Sequence, residues 1–168
     1  MEKKNYNFIG LRKVNNLSIG YVEGWTFKPK NGDLLNTRKV TVEGEEKSVA
    51  SLTLNGNYAQ SVIKYHFGEE LVNEVTFIEA TAWGVVADRL TKFNPTAKML
   101  LGLVGALKVV EYDKKDGSGK GKKIVMTIDN FKLVYNSNKN AGTTTNTTVD
   151  TTADNTFVGE PDVGDIPF

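Results

Sequence analysis

The sequence predicts an all-β protein, a small five-stranded barrel with one helix between its third and fourth strands, followed by a disordered C-terminal tail. Several short segments are rich in β-branched, aromatic and aliphatic residues, and stretches containing Gly, Asn or Asp separate a number of them. Helical patterns are few. After residue 135 the chain consists mainly of Thr and Asn with almost no large apolar side chains, a composition that cannot offset the entropy of ordering.

The strand segments cover residues 17–27, 39–42, 48–54, 75–83, 100–112 and 123–128. Residues 85–93 form the predicted helix, with an apolar face that includes Leu90 and Phe93 and an end at Asn94-Pro95, where the proline disfavours a helical predecessor. A second short helix is expected around residues 59–65. Because residues 1–16 also contain apolar positions, the first strand begins near either Phe8 or Leu17.

This order of elements is typical of a small closed or partly closed Greek-key barrel, and the OB-fold is the candidate that fits it. The barrel domain is expected to cover residues 1–135 and a disordered linker residues 136–159. Residues 160–168 form an acidic C-terminal tip.

Composition excludes several classes of protein. The 168 residues are 39% hydrophobic and 24% charged, as in a soluble globular protein, and no apolar run reaches the roughly 18 residues of a membrane span. The N-terminus lacks the apolar core of a signal peptide, which predicts a cytoplasmic protein that does not bind membranes. The absence of cysteine excludes thiolate metal sites and cysteine nucleophiles.

Charge is distributed unevenly along the chain. Residues 1–135 contain 20 Lys and Arg against 15 Asp and Glu, a net charge of +5, whereas residues 136–168 contain one Lys against five carboxylates, a net charge of −4. A basic domain with an acidic tail fits the binding of a polyanion, with the tail as competitor or adaptor.

Residues 77–83 alternate in polarity, which indicates one buried and one exposed face. Ile78, Ala80 and Ala82 are predicted to point into the barrel. The opposite face carries Phe77 and Trp83 together with Glu79 and Thr81. Aromatic rings on a polar sheet face suit base stacking, although packing under a loop or in a subunit interface would explain the same pattern.

A basic hairpin is predicted next to this face. Residues 111–123 contain Tyr112, three glycines and five lysines, which are Lys114, Lys115, Lys120, Lys122 and Lys123. The glycines predict a flexible tip whose lysines could follow a phosphate backbone, and the alternative is an ordinary solvated turn. A second basic stretch, residues 27–33, follows Trp25 and could form the other wall of a groove.

The last residues have the character of a docking peptide. Asp162 and Asp165 precede the apolar end Ile166-Pro167-Phe168, and an apolar tripeptide after a flexible segment is costly unless something binds it. These side chains are the predicted partner-binding residues.

Three segments and the tail resemble the single-stranded-DNA-binding proteins of bacteria, their phages and plasmids. Residues 49–54 (VASLTL) look like the second strand of that family, residues 77–84 (FIEATAWG) like its third, and residues 101–107 (LGLVGAL) like its fourth. The resemblance covers about half the chain. Extra residues at 1–16 and 28–47, and a thin acidic tip, suggest a divergent member.

The resemblance implies sequence-independent binding and protection of single-stranded DNA, with no cofactor, and recruitment of replication, recombination and repair enzymes by the tip. It implies a homo-oligomer, with a tetramer favoured over a dimer. The base-stacking residues it implies are Phe77, Trp83 and Tyr112, with Tyr58 as a fourth. The other predicted DNA-binding residues are Trp25 and the hairpin lysines Lys114, Lys115, Lys120, Lys122 and Lys123.

No catalytic constellation is visible, so the protein is not expected to be an enzyme. His66 is the only histidine and is expected to close the short helix before Gly68. The acidic pairs Glu45-Glu46 and Glu69-Glu70 are interpreted as solvated charge rather than metal ligands. Two alternatives stay open: an OB-fold adaptor for RNA or protein, and a small OB-barrel nuclease.

Overall fold

The computed structural model describes residues 6–72 and 77–140. The protein is mostly β, with seven strands in one mixed sheet: β1 Ile9–Val14, β2 Leu17–Phe27, β3 Asn36–Val42, β4 Glu45–Asn55, β5 Phe77–Trp83, β6 Met99–Asp113 and β7 Lys120–Asn136. The helical elements are α1 Gln60–Phe67, a 3-10 turn at Glu69–Leu71, α2 Val85–Phe93 and the four-residue α3 Ser137–Asn140. None of the helices in these residues is long and apolar enough to cross a membrane.

Five of the strands close into a near-barrel ring. The sheet order is β1-β2-β6-β7-β5-β4-β3, and an additional β2–β4 pairing joins the two sides of the ring. That pairing is short, since it runs only from Trp25↔Asn55 to Phe27↔Thr53. The β5–β7 pair is parallel and the other neighbours are antiparallel. Strands β1 and β3 extend the sheet outside the ring.

The alternation predicted for residues 77–83 is confirmed. Ile78, Ala80 and Ala82 are completely buried inside the ring, and Leu52 and Leu54 of β4 join them in the core. Burying one aliphatic side chain of this size stabilises the fold by about 1.5–3 kcal/mol. The interior therefore fixes which residues of β4 and β5 point outward.

Helix α2 has the predicted bounds. Its buried residues are Ala87 and Leu90, and the helix packs against β4, β5 and β7. Asn94 ends it in the left-handed conformation, with its backbone N–H donating to Leu90 O at 3.0 Å, and Pro95 follows. The second predicted helix is also present, as α1.

The prediction of five strands was incomplete, because two strands lie outside the ring. Residues 9–14 form β1, so the strand segments begin close to Phe8. The stretch 28–47 contains β3, which turns into β4 through Glu43 and Gly44; both have positive φ, as a tight two-residue hairpin turn requires. Strand β7 is also much longer than residues 123–128, because its pairing with β6 continues past a bulge at Val104/Gly105.

Secondary structure continues past residue 135, where the barrel domain was predicted to end: Asn136 is the last residue of β7, and Ser137 begins α3. Both the backbone N–H and the hydroxyl of Ser137 donate to Lys98 O, at 3.1 and 2.7 Å. These hydrogen bonds attach the start of α3 to the residue that precedes β6. The rest of the predicted linker and the predicted tip lie outside the described residues.

Candidate nucleic-acid interface

The outer face of β5 carries two exposed aromatic side chains. Phe77 and Trp83 are each 43% exposed, at opposite ends of the strand. They lie six residues apart, which corresponds to about 20 Å along a strand. The neighbouring strands place different partners beside each ring, so the two ends of this face differ.

At the Phe77 end the register forms the row Trp25–Asn55–Phe77 across β2, β4 and β5. Phe27 of β2 packs against Phe77 with ring centroids 4.9 Å apart. The contact fixes one side of the Phe77 ring and leaves the rest exposed. Phe27 was not among the predicted site residues.

At the Trp83 end the row is Arg38–Val49–Trp83 across β3, β4 and β5. Arg38 is exposed and lies on the same sheet face as Trp83. The sequence analysis missed this cation, because its place depends on β3 pairing with β4. The only local signal was the alternation within residues 36–42.

A recess of about 440 Å³ lies between β5 and the β6–β7 hairpin. We call it the lysine recess; it is lined by Phe77, Glu79, Tyr112 and Asp113 together with Lys115, Lys122 and Lys123. Two predicted aromatic residues and three predicted lysines thus meet in one place.

Tyr112 is held in this recess by its neighbours across the hairpin. It pairs with Gly121, and a Cβ atom at that glycine would come within 2.7 Å of the tyrosine ring. The ammonium group of Lys123 lies 5.4 Å from the ring centroid, within the range of a cation–π contact. The ring remains 42% exposed. Part of it is therefore available to a ligand.

Carboxylates pair with three of the five predicted lysines. Lys123 Nζ is 2.7 Å from Glu79 and Lys120 Nζ is 3.6 Å from Asp113, while Lys122 pairs with Glu70, which raises the pKa of Lys122. Such exposed pairs contribute little, typically about 0–1 kcal/mol each. A phosphate can therefore replace the carboxylate at small cost.

Lys114 and Lys115 form no ion pair with any described residue and lie at the hairpin tip, which was predicted to be flexible. Here the tip is a hydrogen-bonded turn. Lys114 N–H donates to Gly119 O at 2.9 Å, and Gly117 N–H donates to Lys114 O at 3.0 Å. Asp116 accepts from Ser118 N–H at 2.9 Å. The hydroxyl of Ser118, together with this N–H, lowers the pKa of Asp116. The turn presents both lysines to solvent.

A second recess, of about 390 Å³, adjoins Trp25. We call it the asparagine recess; it is lined by Tyr6, Asn7, Trp25, Asn55, Gly56 and Asn57. Trp25 is 36% exposed, and Tyr135 packs edge-on against it with ring centroids 6.1 Å apart. Asn55 connects this recess to Phe77 through the row described above.

The assignment of Tyr58 as a base-stacking residue was wrong. Its side chain is completely buried in the core, and burial raises its pKa. The hydroxyl has no hydrogen-bond partner among the described residues and lies where Gly24 leaves space, since a Cβ atom there would approach it to 2.7 Å. Tyr58 follows the end of β4, where no alternation indicates the direction of a side chain.

The remaining candidates can be placed briefly. His66 lies in the last turn of α1, as expected, and its Nδ1 is 2.8 Å from the hydroxyl of Ser18. No group of three or more His, Cys, Asp and Glu side chains within residues 6–72 and 77–140 could hold a metal ion. The partner-binding candidates Asp162, Asp165, Ile166, Pro167 and Phe168 lie outside the described residues.

Comparison with models of known protein families found no match, and comparison with curated proteins found none either.

Proposed function

We propose that the protein binds single-stranded DNA, largely independently of sequence, along the outer face of β4 and β5 and in the lysine recess. The observation that carries the proposal is the exposure of Phe77, Trp83 and Tyr112, each about two-fifths exposed. Phe77 and Tyr112 lie beside the lysines of the lysine recess, and Trp83 lies in one row with Arg38. Every base has a π-face, so rings displayed in this way can stack on any sequence.

The arrangement of the ring supports an OB-fold assignment. Around the ring the strands follow the order β2-β4-β5-β7-β6. Along the chain, α2 lies between β5 and β6, which are the third and fourth ring strands in sequence. In OB-folds, oligonucleotides bind across the second and third strands and the loops that join strands 1–2 and 4–5. Here these are β4 and β5, the connection that contains β3, and the β6–β7 hairpin. Residues of β5 and of the β6–β7 hairpin line the lysine recess, and Asn55 of β4 lines the asparagine recess.

Charge supports the same ligand. Residues 1–135 have a net charge of 20 − 15 = +5, and the lysines around Tyr112 are paired only through exposed contacts. Binding that exchanges carboxylates and counterions for phosphates is sensitive to salt and indifferent to base identity.

The proposal includes the tail and the assembly, both from sequence alone. The end Ile166-Pro167-Phe168 would enter an apolar pocket of a replication, recombination or repair enzyme, while Asp165 meets a basic rim. A homo-oligomer, with a tetramer favoured, would hold several such tails around one strand.

Titration of the full chain with oligo(dT) tests the function, using the fluorescence of Trp25 and Trp83 as the signal. We expect quenching with an affinity that falls steeply with salt, and much weaker binding of duplex DNA of matched length.

Tighter binding of matched RNA would favour the RNA adaptor, and cleavage of labelled DNA in divalent metal would favour a nuclease. Light scattering with and without oligo(dT) gives the subunit count.

A further inference from the structure

We infer that the asparagine recess binds a single nucleobase of the bound strand and hydrogen-bonds its polar edge, so that the identity of this one base affects the affinity. The inference rests on the proposed binding of single-stranded DNA and adds a base preference to it. Three features of the recess carry it: its lack of charge, its unpaired amides and its rigid construction.

Among the described residues the recess has no charged side chain in its lining, in contrast to the lysine recess beside it. This described lining offers no ion pair to a phosphate. Its volume of about 390 Å³ lies within the range of small-molecule pockets, roughly 300–1,000 Å³. An uncharged, flat ligand with a polar edge fits this lining better than the strand backbone does.

Trp25 supplies an aromatic surface. Tyr135 holds its ring from the edge, so the ring is positioned before any ligand arrives. Asn55 lies between Trp25 and Phe77 across neighbouring strands. Two strand spacings, about 10 Å, separate these aromatic positions. One strand of DNA can therefore contact both rings.

The side-chain amides of Asn55 and Asn57 have no hydrogen-bond partner among the described residues, although both line the recess. An asparagine amide presents one acceptor oxygen and an NH₂ donor side by side. In a single strand every base exposes an edge on which a donor and an acceptor lie side by side, for example the N6 amino group and N7 of adenine or the N4 amino group and N3 of cytosine. Because the four bases place these groups differently relative to the ring that stacks on Trp25, the contact discriminates among them.

The floor of the recess is fixed by Asn7. Its Oδ1 accepts from Asn57 N–H at 3.0 Å, and its own N–H donates to Asn57 O. Gly56 makes the close approach feasible, because a Cβ atom there would come within 2.6 Å of Asn7 Oδ1. Asn7 is thus used in building the recess, which leaves Asn55 and Asn57 to contact the base.

The test measures the affinity of the full chain for oligo(dT) in which one central nucleotide is dT, dA, dC, dG or an abasic site. We expect the tightest and the weakest of the four base-containing strands to differ by at least about fivefold, the lower limit for a bidentate amide–base contact of about 1 kcal/mol, and the abasic strand to bind no more tightly than the weakest of them. The double variant Asn55→Ala/Asn57→Ala should lose this preference, so that its affinities for the four base-containing strands agree within about twofold. Asn16→Ala, at an exposed turn outside the lining of the recess, is the matched control and should keep the preference.

Equal affinity for all five strands, or a base preference that survives in the double variant, would overturn the base site and leave the proposed function standing. A protein that binds none of the strands would overturn both.

Discussion

The lysine recess and the asparagine recess share one sheet face and adjoin each other through Asn55 and Phe77, yet they differ in charge. Within residues 6–72 and 77–140, the first contains three lysines and two carboxylates in its lining, whereas the second contains no charged side chain. Ion pairs with phosphates weaken as salt increases and do not depend on which base is bound. Amide contacts with base edges depend on the base and respond much less to salt. The difference indicates that affinity and base preference are built into separate parts of the same surface.

The largest effects should come from the aromatic residues, because both recesses depend on stacking. Phe77→Ala and Trp25→Ala should each weaken oligo(dT) binding by about 1–3 kcal/mol while leaving the fold intact. Tyr65→Ala is the control, since this ring is 70% exposed on α1, away from the proposed face. Fluorescence anisotropy with labelled oligo(dT) measures the change. Wild-type affinity in folded Phe77→Ala protein would remove Phe77 from the interface.

The salt dependence of oligo(dT) binding should respond to changes in the lysine recess but not to changes in the asparagine recess. Replacing Lys115, Lys122 and Lys123 by Gln should reduce the steepness of log K against log salt by about 0.7 for each phosphate that the variant no longer neutralises. Asn55→Ala should leave that slope unchanged. Lys92→Gln, at an exposed position of α2, is the control for removing a positive charge outside the recess and should leave the slope unchanged. If the triple variant and wild type have the same slope, the lysine recess does not contact phosphate.

Two glycines allow each recess to be disturbed alone. The methyl group added by Gly121→Ala would lie 2.7 Å from the Tyr112 ring. The methyl group added by Gly56→Ala would lie 2.6 Å from Asn7 Oδ1. Gly121→Ala displaces the Tyr112 ring without removing it, so we expect the affinity for single-stranded DNA of every sequence to fall by less than about 1 kcal/mol. Gly56→Ala should change only the base preference. Circular dichroism checks the fold, and an identical pattern of weakened binding in the two variants would show that the recesses act as one site.

The smallest effect concerns pH and should not involve either recess, since neither has a histidine in its lining. Burial and the nearby Lys13 lower the pKa of His66. The neutral ring is therefore favoured in the native state, and its contribution to stability is complete above the unfolded pKa of about 6.5 and is lost as pH falls. Urea unfolding from pH 8 to 5.5 should show a smaller acid loss of stability in His66→Gln than in wild type. The affinity for oligo(dT) should be the same at pH 7 and pH 8, in wild type and in His66→Gln. An equal acid loss of stability in the two proteins would exclude His66 as the cause of that loss.

The sequence was most informative where local pattern and core packing coincide. The alternation of residues 77–83 correctly separated the buried Ile78 from the exposed Phe77 and Trp83, because one face of that strand is entirely apolar. Asn94-Pro95 correctly located the end of α2, since proline restricts the preceding residue whatever the tertiary context.

It was least informative where a position depends on distant pairing. Arg38 joins Trp83 only through the registers of β3–β4 and β4–β5, and Glu70 reaches Lys122 across 52 residues of chain. Tyr58 was misassigned because the connection after β4 has no periodicity from which burial can be inferred. The asparagine recess was likewise not predicted, since it assembles residues 6–7 with residues 25 and 55–57.

The position of β7 between β5 and β6 has a consequence for how the chain is made. A nascent chain that ends at Asp113 already contains the other four ring strands, but β5 and β6 cannot pair with each other, and each has an open edge. Such edges are templates for pairing with other chains. We therefore expect truncations before Lys120 to aggregate. Ring closure must wait for β7, and the many distant pairings it completes favour folding on the order of milliseconds to seconds.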